Sequence, residues 1–157
     1  MALSFSTESE ARIAEALGEY YNPQAALIPV LFIAADQFGA LGPEVLDLVA
    51  TRLGLPRMFV EGVSSFYTML PKAPRGRYHF QVCRTLSCAM LGAPVLMEHL
   101  KERLGIKPGE VSADGRYSLE EVECLALCGS GPAMLVNQTA YQNLTVAELD
   151  RILASLG

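Results

Sequence analysis

The chain has 157 residues, of which 51% are hydrophobic and 18% are charged, a composition typical of globular domains with an apolar core. Seventeen acidic side chains outnumber twelve basic ones, which gives a formal net charge of −5 at pH 7. This acidic balance argues against a nucleic-acid-binding protein, because binding to phosphates requires a basic surface. The length allows one or two small domains.

The N-terminal segment has no basic stretch that leads into an apolar core, so the sequence predicts no secretion signal. The longest apolar run, residues 25–35, is too short for a bilayer span of about 20 residues, and Pro29 interrupts it. We therefore expect a cytoplasmic protein without direct membrane insertion. In a reducing cytosol, cysteines serve as metal ligands or redox groups more often than as disulfides.

The first part of the chain, residues 1–72, predicts a bundle of four helices. A capping-box pattern at residues 7–10 begins the first helix, and apolar side chains follow at helical spacing. Prolines and glycines mark the other ends. The first three helices are predicted to end at Asn22-Pro23, Gly39 and Gly54, and the last two to begin at Gly42-Pro43 and Pro56.

Residues 71–76, with the sequence PKAPRG, break the helical pattern and predict a linker. The domain beyond it, residues 77–157, alternates between strand-like and helix-like segments. The sequence therefore predicts an α+β chain, in which a thioredoxin-like α/β domain follows the N-terminal helical bundle. Strands are expected at residues 77–83, 117–124, 133–137 and 139–143, and helices within residues 89–104 and after Thr145.

The four cysteines form two close pairs, each placed where a predicted strand ends and a loop begins. Cys83 and Cys88 have the spacing C-x4-C, and Cys124 and Cys128 have the spacing C-x3-C. Loops at strand ends are suited to ligands, because the sheet fixes the stems of the loop. The two pairs are therefore candidate ligands of one site.

Three kinds of site are compatible with these cysteines. A [2Fe–2S] cluster takes two thiolates on each iron, and Gly92, Gly129 and Gly131 would let the backbone approach it closely. Zinc bound by four cysteines fits the ligand set, but the usual C-x2-C spacing is absent. A thiol–disulfide enzyme also usually carries C-x2-C. The spacing favours the cluster and leaves the other two open; the plant-type ferredoxin spacing is absent as well.

The segments FYTMLPKAPRGRYHFQVCRTLSC and ECLALCGSGPAMLVN resemble the thioredoxin-like [2Fe–2S] ferredoxin family. Members include the small iron–sulfur subunit of bacterial NADH-quinone oxidoreductase (complex I) and equivalent subunits of NAD-dependent formate dehydrogenases and hydrogenases. The resemblance covers nearly the whole chain. It implies an electron-transfer subunit whose [2Fe–2S] cluster is bound by Cys83, Cys88, Cys124 and Cys128. It also implies a flavoprotein partner that carries FMN and binds NAD, neither of which is expected on this chain.

Two residues next to these cysteines bear on the site. Ala126 stands where the family often has glycine, so a positive φ at this position would strain the loop. Arg84 directly follows Cys83. A cation there would stabilise the reduced cluster and raise its potential, whereas an arginine that points into solvent would not.

The two histidines and Phe66 are expected to have structural rather than functional roles. His79 is expected to be a surface or partly buried side chain, because a Rieske-type centre needs two histidine ligands. His99 is expected on a solvated helix face, and Phe66 in the core of the helical bundle. The sequence shows no Ser-His-Asp set, phosphate loop or dinucleotide fingerprint, and therefore no candidate catalytic residue.

Overall fold

A computed structural model describes residues 3–156 and divides the chain into two compact units between Pro74 and Arg75. The N-terminal unit is helical, and the C-terminal unit combines helices with a mixed four-stranded sheet. The predicted α+β class is therefore confirmed. No helix within the described residues is long and apolar enough to cross a membrane.

The N-terminal unit contains α1 (Thr7–Glu19), α2 (Leu27–Phe38), α3 (Pro43–Leu53) and α4 (Arg57–Phe66). The predicted capping box is wrong by one residue, because the side chain of Ser6 caps α1 by accepting the N–H of Ser9 at 3.1 Å. The ends of α2 and α3 are as predicted, since Gly39 and Gly54 follow them with φ values of 75° and 64°.

Phe66 lies outside the core of this unit, and the prediction that it packs there is wrong. Its relative exposure is 78%, and its ring meets the ring of Tyr67 edge-on at 5.2 Å between centroids. The buried face of α4 is set by Val60 and Ser64, which are four residues apart and lie on the same side of the helix. Phe66 is two residues beyond Ser64 and falls on another side.

The sheet of the C-terminal unit has the strand order β2-β1-β3-β4. Strands β1 and β2 pair in parallel, whereas β3 is antiparallel to β1 and β4 is antiparallel to β3. The carboxyl ends of β1 and β2 therefore lie at the same edge of the sheet. The strands are β1 (Tyr78–Cys83), β2 (Tyr117–Val122), β3 (Met134–Val136) and β4 (Thr139–Tyr141).

The helices of this unit are α5 (Leu86–Met90), α6 (Ala93–Leu104) and α7 (Val146–Ser155). The helix predicted within residues 89–104 is α6, with Pro94 in its first turn, and Gly92, whose φ is 104°, separates it from the short helix α5. Thr145 caps α7, as predicted, by accepting the N–H of Glu148. The largest side chains of the core, each almost fully buried, are Phe80, Leu100, Leu119, Met134 and Leu149.

His99 on α6 forms a hydrogen bond with α7, so the prediction that it lies on a solvated helix face is wrong. Its Nε2 lies 2.9 Å from Oδ1 of Asp150, and its side chain is only 21% exposed. The hydrogen bond to His99 lowers the pKa of Asp150 against the opposing effect of burial. The neighbouring charged residues of α6 made His99 resemble a surface residue, and its partner lies 51 residues further along the chain.

Candidate metal centre

The parallel pairing of β1 and β2 brings the two cysteine pairs to one edge of the sheet. Cys83 is the last residue of β1 and lies opposite Val122, the last residue of β2. Cys124 follows only two residues after Val122. The backbone pairing continues past Cys83, because the N–H of Arg84 donates to the carbonyl of Val122 at 2.9 Å. The start of the first cysteine loop is thus fixed to the end of the neighbouring strand.

The four cysteines occupy two kinds of environment. Cys83 and Cys88 are buried, with Cys88 on α5, whereas Cys124 and Cys128 are exposed. Cys128 begins a single 3₁₀ turn, and the peptide bond between Gly131 and Pro132 that follows it is cis. All four thiols are free rather than joined in disulfides.

The pKa values of the two buried thiols are shifted in opposite directions. Burial opposes ionisation of Cys83, but hydrogen bonds from the side chain and backbone of Thr85, from Cys88 and from the backbone of Leu125 outweigh it, so the pKa of Cys83 is lowered. Burial, reinforced by the hydrogen bond to Cys83, raises the pKa of Cys88.

The exposed cysteines are less closely gathered. The N–H of Ala126 donates to Sγ of Cys124 at 3.3 Å. Cys128 lies close enough to Cys88 for their charges to interact. Within residues 3–156, no three His, Cys, Asp or Glu side chains are grouped as ligands of one metal ion. The structure thus brings together the first pair and places the second pair beside it.

The donor set and the surrounding backbone fit a [2Fe–2S] cluster. Four free thiols in two pairs match the ligand requirement of two irons. Gly131 lies beside the first pair, since a Cβ at this position would stand 3.3 Å from Sγ of Cys88 and 3.2 Å from Cδ1 of Leu91. A larger residue would fill the region between the two cysteine loops, so this glycine keeps the approach to Cys88 open.

The loop between Cys124 and Cys128 requires a positive φ at Ala126, where φ is 58°. This is the left-handed conformation that glycine adopts without strain and that alanine adopts at a cost. The same conformation lets the N–H of Ala126 reach the sulfur of Cys124. The backbone strain that we expected for a positive φ at Ala126 is therefore present.

The Arg84 side chain forms an ion pair with Glu123, and both side chains are more than half exposed. The hydrogen bond to Glu123 raises the pKa of Arg84, and the hydrogen bond to Arg84 lowers the pKa of Glu123. Each partner directly adjoins a cysteine in sequence. The cation next to Cys83 therefore comes with an anion next to Cys124.

His79 is buried and belongs to a hydrogen-bonded network between β1 and β2. Its Nδ1 lies 2.8 Å from Oγ of Ser118, and its Nε2 lies 2.9 Å from Oε2 of Glu120. The same oxygen of Glu120 accepts from Gln81. His79 is therefore occupied within the sheet. Its partners Ser118 and Glu120 were not predicted, although the parallel register of two predicted strands would have indicated them.

These features define a small α+β protein with two free cysteine pairs at one edge of a mixed sheet. Residues 13–157 match the model of the thioredoxin-like [2Fe–2S] ferredoxin family, and the chain belongs to that family. The chain is 39% identical to a subunit of the NADH-quinone oxidoreductase of Rhizobium meliloti, over 91% of this chain and 85% of the relative. It is 41% identical to "NADH-quinone oxidoreductase subunit 2" of Thermus thermophilus, over 87% of this chain and 77% of the relative.

The chain is also similar to a solved structure of an NAD+-reducing [NiFe]-hydrogenase in the air-oxidized state. The TM-score is 0.69 and the sequence identity is 25% over 80% of this chain. The match spans only 22% of the hydrogenase chain. The similarity is thus to one part of a longer protein.

Proposed function

We propose that this protein is the electron-transfer subunit of an NADH-quinone oxidoreductase-type complex, with one [2Fe–2S] cluster bound by Cys83, Cys88, Cys124 and Cys128. The observation that carries the proposal is that two free cysteine pairs follow the carboxyl ends of the parallel strands β1 and β2, at one edge of the sheet. Membership of the [2Fe–2S] ferredoxin family supports the cluster. The names of the bacterial relatives support the type of complex.

The cluster, when bound, supplies a one-electron couple, which suits exchange of single electrons with a reduced flavin. The chain positions the site and sets its surroundings. The sheet fixes Cys83, burial keeps water from the first pair, and backbone N–H groups donate to the sulfurs. No residue of this chain has to make or break a substrate bond. In this proposal FMN and NAD are carried by a flavoprotein partner, as the family resemblance implies.

Exposed apolar side chains beside the first cysteine pair support a partner at this edge. Leu86 and Met90 lie four residues apart on α5 and are 75% and 79% exposed. Both flank Cys88 in sequence, and Leu91 beside them is also exposed. Exposed apolar side chains close together in sequence are typical of protein–protein contacts. Contact there would bring a flavoprotein next to the cysteine loops.

The N-terminal helices serve as a second docking surface in this proposal, and residues 1–72 and 77–157 act as separate domains. Exposed apolar side chains lie on α4 and just after it. Met58, Phe59 and Phe66 are in the helix, and Met69 follows it. The helical unit shows no grouped metal-type ligands within its described residues. Its surface chemistry therefore suits contact with another subunit rather than cofactor binding.

The cofactor is tested on protein purified without oxygen, by measuring iron, zinc and acid-labile sulfide and by recording EPR spectra before and after dithionite. We expect two irons and two sulfides per chain, with an EPR signal that appears on reduction. Cys124→Ser should lose the signal, whereas Ser87→Ala, which changes a residue next to Cys88 that is not one of the four proposed ligands, should retain it. One zinc per chain and no signal would contradict the proposal in favour of a structural zinc module.

The partner is tested by co-purification with the flavoprotein subunit from the same organism. Leu86→Ser combined with Met90→Ser should weaken the association while leaving the iron content unchanged, and removal of residues 1–70 should weaken it separately. Undiminished association of both variants would contradict the docking surfaces.

The structural similarity favours an NAD-linked hydrogenase as a second candidate complex. A formate dehydrogenase is the third candidate. Co-purification of intact complex from cells distinguishes the three.

A further inference from the structure

We propose that Thr85 is a positioning residue that raises the reduction potential of the site by donating a hydrogen bond from its hydroxyl to the sulfur of Cys83. This inference deepens the proposed function and rests on it. The hydroxyl oxygen of Thr85 lies 3.1 Å from Sγ of Cys83, within the range of a hydrogen bond to sulfur. Thr85 is not itself a metal ligand, so it acts through Cys83.

At the backbone position of Thr85, a threonine side chain would ordinarily cap the helix that follows. Thr85 is the N-cap residue of α5, with an extended ψ of 165°, yet its side chain makes no capping hydrogen bond. By contrast, the N-cap residues Ser6 of α1 and Thr145 of α7 both accept an N–H from three residues further on. A threonine at this position usually does the same. The Thr85 hydroxyl is directed to Cys83 instead.

Ligation of Cys83 settles the direction of this hydrogen bond. In the free protein either the hydroxyl or the thiol can donate. A cysteine that binds iron is a thiolate and has no proton to give. The Thr85 hydroxyl then has to be the donor and the Cys83 sulfur the acceptor.

A donor at a ligand sulfur affects the two redox states unequally. The reduced site carries one more negative charge than the oxidised site, and a hydrogen bond to sulfur stabilises the more negative state further. Removal of the donor should therefore lower the reduction potential. The iron and sulfide content should stay unchanged, because all four ligands remain.

The test compares the full-length, cluster-loaded wild type with Thr85→Val, Thr85→Ala and Thr85→Ser in an EPR-monitored redox titration. The valine and alanine variants lack the donor, and we expect a lower midpoint potential for both. Serine retains the hydroxyl, so its potential should return close to that of the wild type. Thr145→Val is the matched control, since it removes a threonine hydroxyl that caps α7 and should leave the potential unchanged.

A second measurement does not depend on the potential. In D₂O, pulsed EPR of the reduced wild type should detect an exchangeable deuteron close to the cluster, and this signal should weaken in Thr85→Val. An unchanged potential in loaded Thr85→Val would overturn the inference while the proposed function stands. Failure of both donor-free variants to bind iron would also overturn it, since the hydroxyl would then serve assembly. A wild type without iron would instead refute the proposed function.

Discussion

Gly76 lies so close to the backbone of Tyr117 that an added Cβ would stand 2.4 Å from the carbonyl carbon of Tyr117. The N–H of Gly76 also donates to Oγ of Ser118 at 2.9 Å. Glycine therefore allows the chain that enters β1 to pack directly on β2. The Ser118 hydroxyl connects this contact to His79, so the entry to the sheet and the β1–β2 network form one unit.

Gly76→Ala should lower the free energy of unfolding by about 2 to 3 kcal/mol, because backbone atoms have to move apart to admit the methyl group. The measurement is urea unfolding of the metal-free protein. Gly129→Ala is the matched control in the same unit, since an added Cβ there meets nothing within 4 Å. Equal stability of the two variants would contradict the close packing of Gly76 on Tyr117.

Ala126→Gly should raise the stability of the metal-free protein by about 0.5 to 1 kcal/mol, because glycine adopts the left-handed conformation without strain. The gain is reduced by the greater freedom of glycine in the unfolded chain. Ala147→Gly, in the regular helix α7, should lower stability by about 0.5 to 1 kcal/mol instead. Urea unfolding of both variants provides the check, and a loss of stability in Ala126→Gly would show that the loop is not strained.

Features that depend on a few neighbouring residues could be predicted from the sequence. Gly39 and Gly54 end their helices and Thr145 begins one, because capping chemistry is local. The alternation in residues 77–83 identified β1, since Tyr78, Phe80 and Val82 all pack in the same core. The family resemblance was likewise carried by short segments around the cysteines.

Features that depend on distant partners could not be predicted in this way. The burial of His79 depends on the register of β1 with β2, which places Ser118 beside it. The pairing of Arg84 with Glu123 depends on the same register at the cysteine edge. Phe66 has an apolar side chain but faces away from the buried side of α4. The apolar character of a residue alone does not predict which side of a helix it faces.

The Glu120 carboxylate should make stability depend on pH in the acid range. The hydrogen bond from His79 lowers the pKa of Glu120, burial opposes this, and the hydrogen bond from Gln81 adds to it. An unfolded glutamate has a pKa of about 4.3. Because the folded pKa is lower, the stabilisation is fully present above about pH 4.3 and is lost as the pH falls through the folded pKa.

Glu120→Gln should therefore cost about 0.5 to 1 kcal/mol at neutral pH, a modest effect because the side chain is 37% exposed and partly screened by solvent. The cost should shrink as the pH falls through the lowered folded pKa of Glu120, because the wild-type carboxylate then becomes protonated as well. Urea unfolding across this range measures it. In a His79→Gln background, the pH dependence of the same substitution should be weaker. An equal cost of Glu120→Gln at every pH would contradict the role of ionised Glu120.

The Arg84–Glu123 ion pair should leave little net charge beside the cysteine loops. Single substitutions should separate the effects of the two charges on the reduction potential. In the loaded protein, Arg84→Gln removes a cation and should lower the reduction potential, whereas Glu123→Gln removes an anion and should raise it. Each shift should be about 10 to 30 mV, as expected for an exposed charge that salt partly screens.

The double variant provides the control for this prediction. If the two charges act on the site as an opposed pair, Arg84→Gln combined with Glu123→Gln should have a potential close to that of the wild type. Raising the ionic strength should shrink both single shifts, because the pair is exposed. Two single shifts of the same sign would mean that the substitutions act by rearranging the cysteine loops rather than through charge.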